Sequence, residues 1–195
     1  VLYYSAIFPF QRFAANMLQC NLDGLTATQA ADIFRWFPIG AAAITPLLGY
    51  YLDRKGKGAT MLIGGALLLI ICHLVFAFVL PETKSELIAY ATIVILGLSF
   101  ALVPASLWPS VPKIVDEKIL GSAYCLIFWI QNFGLSLTPL LIGSVLSSTN
   151  ANNPAVIAAK AQNATLIPYD YTIPEIIFAS FGVAALLIAI YLKVV

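Results

Sequence analysis

The chain has 195 residues, of which 61% are hydrophobic and 10% charged, against roughly 25% charged residues in an ordinary soluble domain. So little charge cannot cover a water-facing surface, which excludes a soluble globule and makes the lipid bilayer the first partner of this chain. A net charge of +1 also excludes a nucleic-acid partner, which requires a basic face.

In chain order, Val1 to Phe10 is apolar but only about half of the 20 or so residues that a span needs. The chain opens on Val1-Leu2-Tyr3-Tyr4, already inside an apolar run, with no initiating Met and no signal peptide. This reads as a fragment cut within a helix. Gln11, Arg12, Asn16 and Gln19 then bring the chain to a surface, Asn21 to Leu25 forms a turn, and Thr26 or Thr28 can cap the next helix. A second span is expected over about Gln29 to Leu52, with Asp32 and Arg35 in its first turns and Pro38 and Pro46 inside. Gly49 to Gly58 is a basic hinge holding Arg54, Lys55 and Lys57. The third span, about Ala59 to Leu80, is apolar except for Thr60 and His73, and Pro81 to Ser85-Glu86 is a polar turn. The fourth covers about Leu87 to Trp108, kinked at Pro104, and a loop follows from Pro109 to Lys118. The fifth runs over about Ile119 to Leu146, with Gly134 and Pro139. Ser147 to Thr172 is polar, turn-rich and carries the glycosylation sequon Asn163-Ala164-Thr165. The sixth span is about Ile173 to Val195. The fold class expected is therefore an all-α membrane protein of six transmembrane helices, the first truncated.

Alternate connections lie on the same side of such a bundle. The hinge, the loop before the fifth span and the C-terminus hold Arg54, Lys55, Lys57, Lys113, Lys118 and Lys193, while the opposite set holds Arg12, Lys84 and Lys160. Lys and Arg accumulate on the cytoplasmic side, so the hinge and the C-terminus are expected there and the Ser147–Thr172 loop outside. The membrane would be a plasma (inner) membrane, or a lysosomal one if the source is eukaryotic.

Several side chains within spans carry chemistry. At the hinge, Gly49 allows close approach of a neighbouring helix, Gly56 supplies a turn with positive φ, and Asp53 can meet the positive end of another helix. Arg54 and Lys57 remain at the surface. Asp32 and Arg35, three residues apart on one helical face, are the only charged pair inside a span. They form either a local salt bridge or a site for a substrate carboxylate or a proton. His73 is either packed or a proton relay, and no second titratable residue accompanies it in its span. Gln131 and Asn132, mid-span, must hydrogen-bond to something, as interhelical glue or as cavity lining. Trp108, flanked by Pro104 and Pro109, has the position of an interfacial anchor. Cys20, Cys72 and Cys125 lack metal-ligand spacing and read as buried thiols. Nothing resembles a phosphate-binding loop, a nucleophile triad or a metal cluster, so neither an enzyme, a cofactor nor a metal is expected.

The hinge pattern Gly49-x-x-x-Asp53-Arg54-x-Gly56-Lys57 resembles the loop between the second and third helices of each half of the major facilitator superfamily. Tyr3 to Phe10, Gly97 to Phe100 running on to Leu107-Trp108-Pro109, and Leu120 to Tyr124 continuing to Ile130–Leu135 resemble that superfamily's lysosomal dipeptide-transporter branch and its prokaryotic relatives. The resemblance implies helices seven to twelve of a twelve-helix carrier, built from 3+3 inverted repeats, whose partner is the N-terminal six-helix half of the same chain. It implies alternating-access transport of a small-molecule substrate, a dipeptide, without ATP, as a uniporter or symporter. It makes the hinge a conformational latch. It also places the first and fourth spans on the cavity, with Tyr3, Tyr4, Phe8, Arg12 and Trp108 as lining candidates beside Arg35, Gln131 and Asn132. The long Ser147–Thr172 loop departs from the shorter connection expected there. A carrier for a sugar or for an organic or inorganic anion, and a six-span channel-like oligomer, are the alternatives.

Overall fold

The first rod, α1 (Leu2–Asn21), buries Tyr3, Ala6, Ile7, Phe10, Ala14, Met17 and Leu18, a helical stripe facing one core. The computed structural model describes residues 1–194; Val195 and the side chain of Asp53 lie outside the described residues. After a turn at Gly24, α2 (Ala27–Phe34) starts on a capping box in which Thr26 and Gln29 exchange hydrogen bonds. Thr26, not Thr28, is therefore the cap. The second span expected from the sequence lapses in its hydrogen bonding at Arg35, which keeps helical dihedrals (φ −55°, ψ −27°), and α3 (Trp36–Lys55) follows directly. Pro38 lacks the N–H that would bond the Phe34 carbonyl four residues back, which accounts for the lapse.

α3 ends at Gly56, whose φ of 62° is the left-handed conformation expected of it. A β-carbon there costs about 1–2 kcal/mol, so Gly56→Ala is expected to lower the melting temperature of the detergent-purified protein by a few degrees. α4 (Gly58–Leu74) passes through a π-helical turn, Val75–Val79, into α5 (Leu80–Thr83). Pro81 thus sits in the first turn of α5 and does not end the rod, which extends past the expected boundary. α6 (Glu86–Leu107) likewise continues through a 3-10 turn, Trp108–Ser110, into α7 (Val111–Ile114), leaving a shorter loop than expected. α8 (Leu120–Thr149) is the longest rod, the connection after it contains α9 (Pro154–Ala161), and α10 (Thr172–Val194) follows.

Four continuous stretches, Gly58–Thr83, Glu86–Ile114, Glu117–Thr149 and Thr172–Val194, are long and apolar enough to cross a membrane. α1 and α3 have 20 residues each, about 30 Å of helix, but carry more polar residues. In the bundle α4 packs against α6 and α10, α3 against α6, and α1 against α8 and α10. Backbones approach closely where one helix offers glycine. A β-carbon on Gly97 would lie 2.5 Å from the Phe37 carbonyl oxygen, and one on Gly65 would lie 2.9 Å from Val103.

Gly56 and Gly58 share a hollow with Ser106, Pro109 and Lys113, so the hinge lies beside the α6–α8 connection. Leu62, Leu107 and Leu192 line one cleft, which puts the end of α10 at that end too. At the other end Lys84 Nζ donates to both Asp23 oxygens at 2.8 Å, and the Tyr171 hydroxyl donates to Asn16 Oδ1 at 2.6 Å. Burial holds the Tyr171 phenol above its ordinary range, so it remains a neutral donor. The grouping of connections expected from alternation is thus the grouping found.

Candidate substrate groove and aromatic wall

A groove of about 370 Å³ runs between α1 and α3 over α6. Phe8 and Gln11 form one wall, Phe34, Phe37 and Pro38 the other, and Phe100 lies between them. Phe8 meets Phe100 edge-on at 5.7 Å between centroids, and Phe37 meets Phe100 at 5.5 Å. Phe8 is 39% exposed, unlike the buried stripe on the opposite face of α1. Arg12, four residues on, shares its face and is exposed. Among the described residues it pairs with no carboxylate. Apolar walls with one amide and one unpaired guanidinium suit a small amphipathic molecule carrying a carboxylate.

The wall continues toward the hinge end. Tyr4 stacks on Phe8 at 5.5 Å, and Trp108 Nε1 donates to the Tyr4 hydroxyl at 3.1 Å. Trp108 also stacks on Phe128 at 5.0 Å, and the Tyr124 hydroxyl donates to its carbonyl at 3.2 Å. Trp108 therefore ties α1, α6 and α8 together, which an isolated interfacial anchor would not do.

Tyr3 meets this wall edge-on at Tyr4, 6.2 Å between centroids, and turns toward a second cleft that it lines with Leu62, Ala66 and Val103. It is buried, its hydroxyl is 2.6 Å from Ser99 Oγ, and Ser99 donates to the Gly65 carbonyl at 2.8 Å. Tyr3 belongs to the α1–α4–α6 core, because the helical repeat turns it away from the face of Phe8. On α8, Gln131 is half-buried and Asn132 exposed. Gln131 falls on the face of Gly134, which abuts Ser5 of α1, while Asn132 is rotated off it. Arg35 and Asp32 form an ion pair with each other on the exposed surface, the local arrangement. At the hinge, Arg54 lies 4.5 Å over the Tyr50 ring and Lys57 is exposed. The expected role of Asp53 falls on a side chain outside the described residues. Among the described residues Gly49 makes no close approach, since an added β-carbon would meet none of their atoms within 4 Å. Cys72 is buried and Cys20 half-buried, but Cys125 is exposed, which corrects the expectation of three buried thiols.

One residue escaped the sequence reading. Glu175 of α10 is fully buried, and its Oε2 lies 2.6 Å from Nδ1 of His73 on α4. His73 does have a titratable companion, supplied from a different span. The available clue was a carboxylate four residues into a helix of otherwise apolar composition, Thr172-Ile173-Pro174-Glu175-Ile176, where a charge demands a partner.

No family model and no solved structure matches the chain. Among curated proteins, it is 32% identical over 146 residues to the lysosomal dipeptide transporter MFSD1 of Danio rerio, an alignment covering 75% of this chain and 30% of that protein. The Homo sapiens protein of the same name is 28% identical over 148 residues, with 76% and 30% covered. The Mus musculus protein is 30% identical over 148 residues, with the same coverage. The chain thus spans about 30% of the length of the curated relatives it matches. Sequence kinship to these transporters, an all-helical architecture and four membrane-length rods together identify the chain as part of a major facilitator superfamily protein, with the fold of one half of that superfamily.

Proposed function

We propose that the chain forms helices seven to twelve of a membrane carrier that moves dipeptides by alternating access, without ATP hydrolysis. The observation that carries this reading is the groove of Phe8, Phe37 and Phe100 with the exposed Arg12 one helical turn beyond Phe8 on α1. It belongs to a chain whose relatives are named dipeptide transporters. A dipeptide presents one carboxylate, one ammonium, one amide and two side chains. The guanidinium receives the carboxylate, the aromatic wall receives the side chains, and Gln11 receives the amide. The N-terminal six-helix half of the same polypeptide supplies the facing wall and the partner for the ammonium. The basic hinge and the C-terminus lie on the cytoplasmic side. Asp53, Arg54 and Lys57 latch one state of the rocking cycle, in a lysosomal or a bacterial inner membrane.

The test is uptake of labelled dipeptides into proteoliposomes holding the full-length protein. Saturable uptake, competed by other dipeptides, is expected. Arg12→Ala should raise the KM about 10-fold or more, the loss of a hydrogen bond to a charged group, with a smaller change in maximal rate. Saturable uptake of a sugar or nitrate with none of any dipeptide would overturn the substrate class.

A further inference from the structure

The His73–Glu175 pair lies away from the groove, where α1, α4 and α10 meet. Both side chains are fully buried. Phe10 of α1 stands edge-on to the His73 ring at 5.1 Å, Phe178 of α10 lies at 5.2 Å, and Phe76 lies at 6.3 Å. Nε2 of His73 and Oε1 of Glu175 have no hydrogen-bond partner among the described residues. The titratable neighbours are Cys72, beside His73 on α4, and Tyr171, at the start of α10. Both are spent on hydrogen bonds, to the Thr92 carbonyl and to Asn16. α1 presents Phe10 and the π-helical turn presents Phe76, neither of which titrates. Among the described residues no lysine, arginine or second carboxylate acts on Glu175.

In this apolar box the proton count decides the charge. With one proton shared, the pair is neutral overall, as imidazolium with carboxylate or as imidazole with carboxylic acid. With none it is a buried anion, and with two a buried cation, and either is costly in a dry interior. The closed box therefore holds one proton, and a second can enter only if water reaches the pair. The residue that shuts the box from α1 is Phe10, next to Pro9, where α1 lacks a backbone donor. Its neighbours Phe8 and Gln11 line the groove.

Resting on the reading of the chain as half of a carrier, we propose that His73 and Glu175 form a proton-binding site whose second proton unseats Phe10 and frees α1 to move. Acidity at the end of the bundle that carries Asp23, Lys84 and the start of α10 thereby speeds the transport cycle.

In proteoliposomes of the full-length protein, exchange of a labelled dipeptide at equal pH on both sides is measured from about pH 5 to pH 8, the range in which histidine charge changes. The wild-type rate is expected to rise several-fold toward the acid end. His73→Gln with Glu175→Gln keeps an amide–amide hydrogen bond in the box and removes both proton sites, so its rate should be flat with pH. A flat wild-type profile, or a double variant with the wild-type profile, would overturn the site. Should the double variant fail to insert, Glu175→Asp serves instead. It keeps the charge but withdraws the carboxyl by one methylene, so the profile shifts if the pair sets it and is unmoved if it does not. Absence of any dipeptide exchange by the wild type defeats the dipeptide reading and leaves the site decidable by infrared difference spectroscopy. Acidifying the purified protein should then give imidazole or carboxyl bands that the variant lacks, and superimposable spectra would refute the site.

Discussion

Glu175→Ala is expected to destabilise the folded protein by about 3 kcal/mol, and His73→Leu combined with Glu175→Met to recover most of that loss. The single change leaves the buried Nδ1 of His73 without its 2.6 Å partner, so the imidazole keeps its desolvation cost and loses the compensating bond. It also opens a space between Phe10, Phe76 and Phe178 that these rings cannot fill without shifting. The double change removes both polar groups and fills the box with side chains of similar volume, the exchange that most often proves neutral for a buried pair. Thermal or denaturant unfolding in detergent of the wild type, His73→Leu, Glu175→Met and the double variant measures the coupling directly. A loss in the double variant equal to the sum of the two single losses would show that the two side chains do not depend on each other. The cycle also separates the two roles of the pair, because the double apolar variant should be stable yet have no acid response.

Gly97→Val should cost about 3 kcal/mol by overpacking and abolish dipeptide uptake even where protein is recovered. The first atom of any side chain at this position would stand 2.5 Å from the Phe37 carbonyl oxygen, and the Phe37 carbonyl carbon and the Ala41 nitrogen follow at 3.4 Å. All three are backbone, so no rotamer change relieves the contact and α3 must move away from α6. Phe37 and Phe100 form the groove from opposite sides of this contact, so the displacement that relieves the clash also pulls the wall apart. Melting temperature and uptake, measured together, should fall together. Gly49→Ala is the control, since nothing stands within 4 Å of a β-carbon there, and it should melt like the wild type. A Gly97→Val protein with unaltered melting temperature would mean that the two helices are not in the contact described.

Much of this architecture was legible in the residues. The apolar runs marked the rods, the Gly56 turn needed positive φ and has it, and the alternation of connections agrees with the hollows that gather the hinge, Lys113 and the end of α10 at one end. Boundaries were less legible where proline was concerned. Pro81 and Pro109 looked like stops but lie inside continuing rods, at the π-helical turn Val75–Val79 and the 3-10 turn Trp108–Ser110, where the helical hydrogen bonding is already irregular, and Pro38 follows a lapse in hydrogen bonding at Arg35 that leaves the helical path intact. Arg12 and Phe8 were named as lining candidates and do share an exposed face. Tyr3 was named beside them and faces a different cleft, between α1, α4 and α6, since a reading by span could not say how far α1 is rotated.

The sequence by itself determined the class of this molecule, its helical rods, which of their ends go together and the kinship carried by the hinge and its neighbouring motifs. These follow from composition, from runs about 20 residues long and from local backbone preference, none of which depends on what lies across the bundle. Only the tertiary structure decided that Glu175 completes His73 across 102 positions of chain, that Trp108 knits three helices and that Gly97 is a contact point. Each of these depends on the rotation and depth of one helix against another. That choice is set by the sum of many small packing contacts over the whole interface, and no single stretch of sequence carries it.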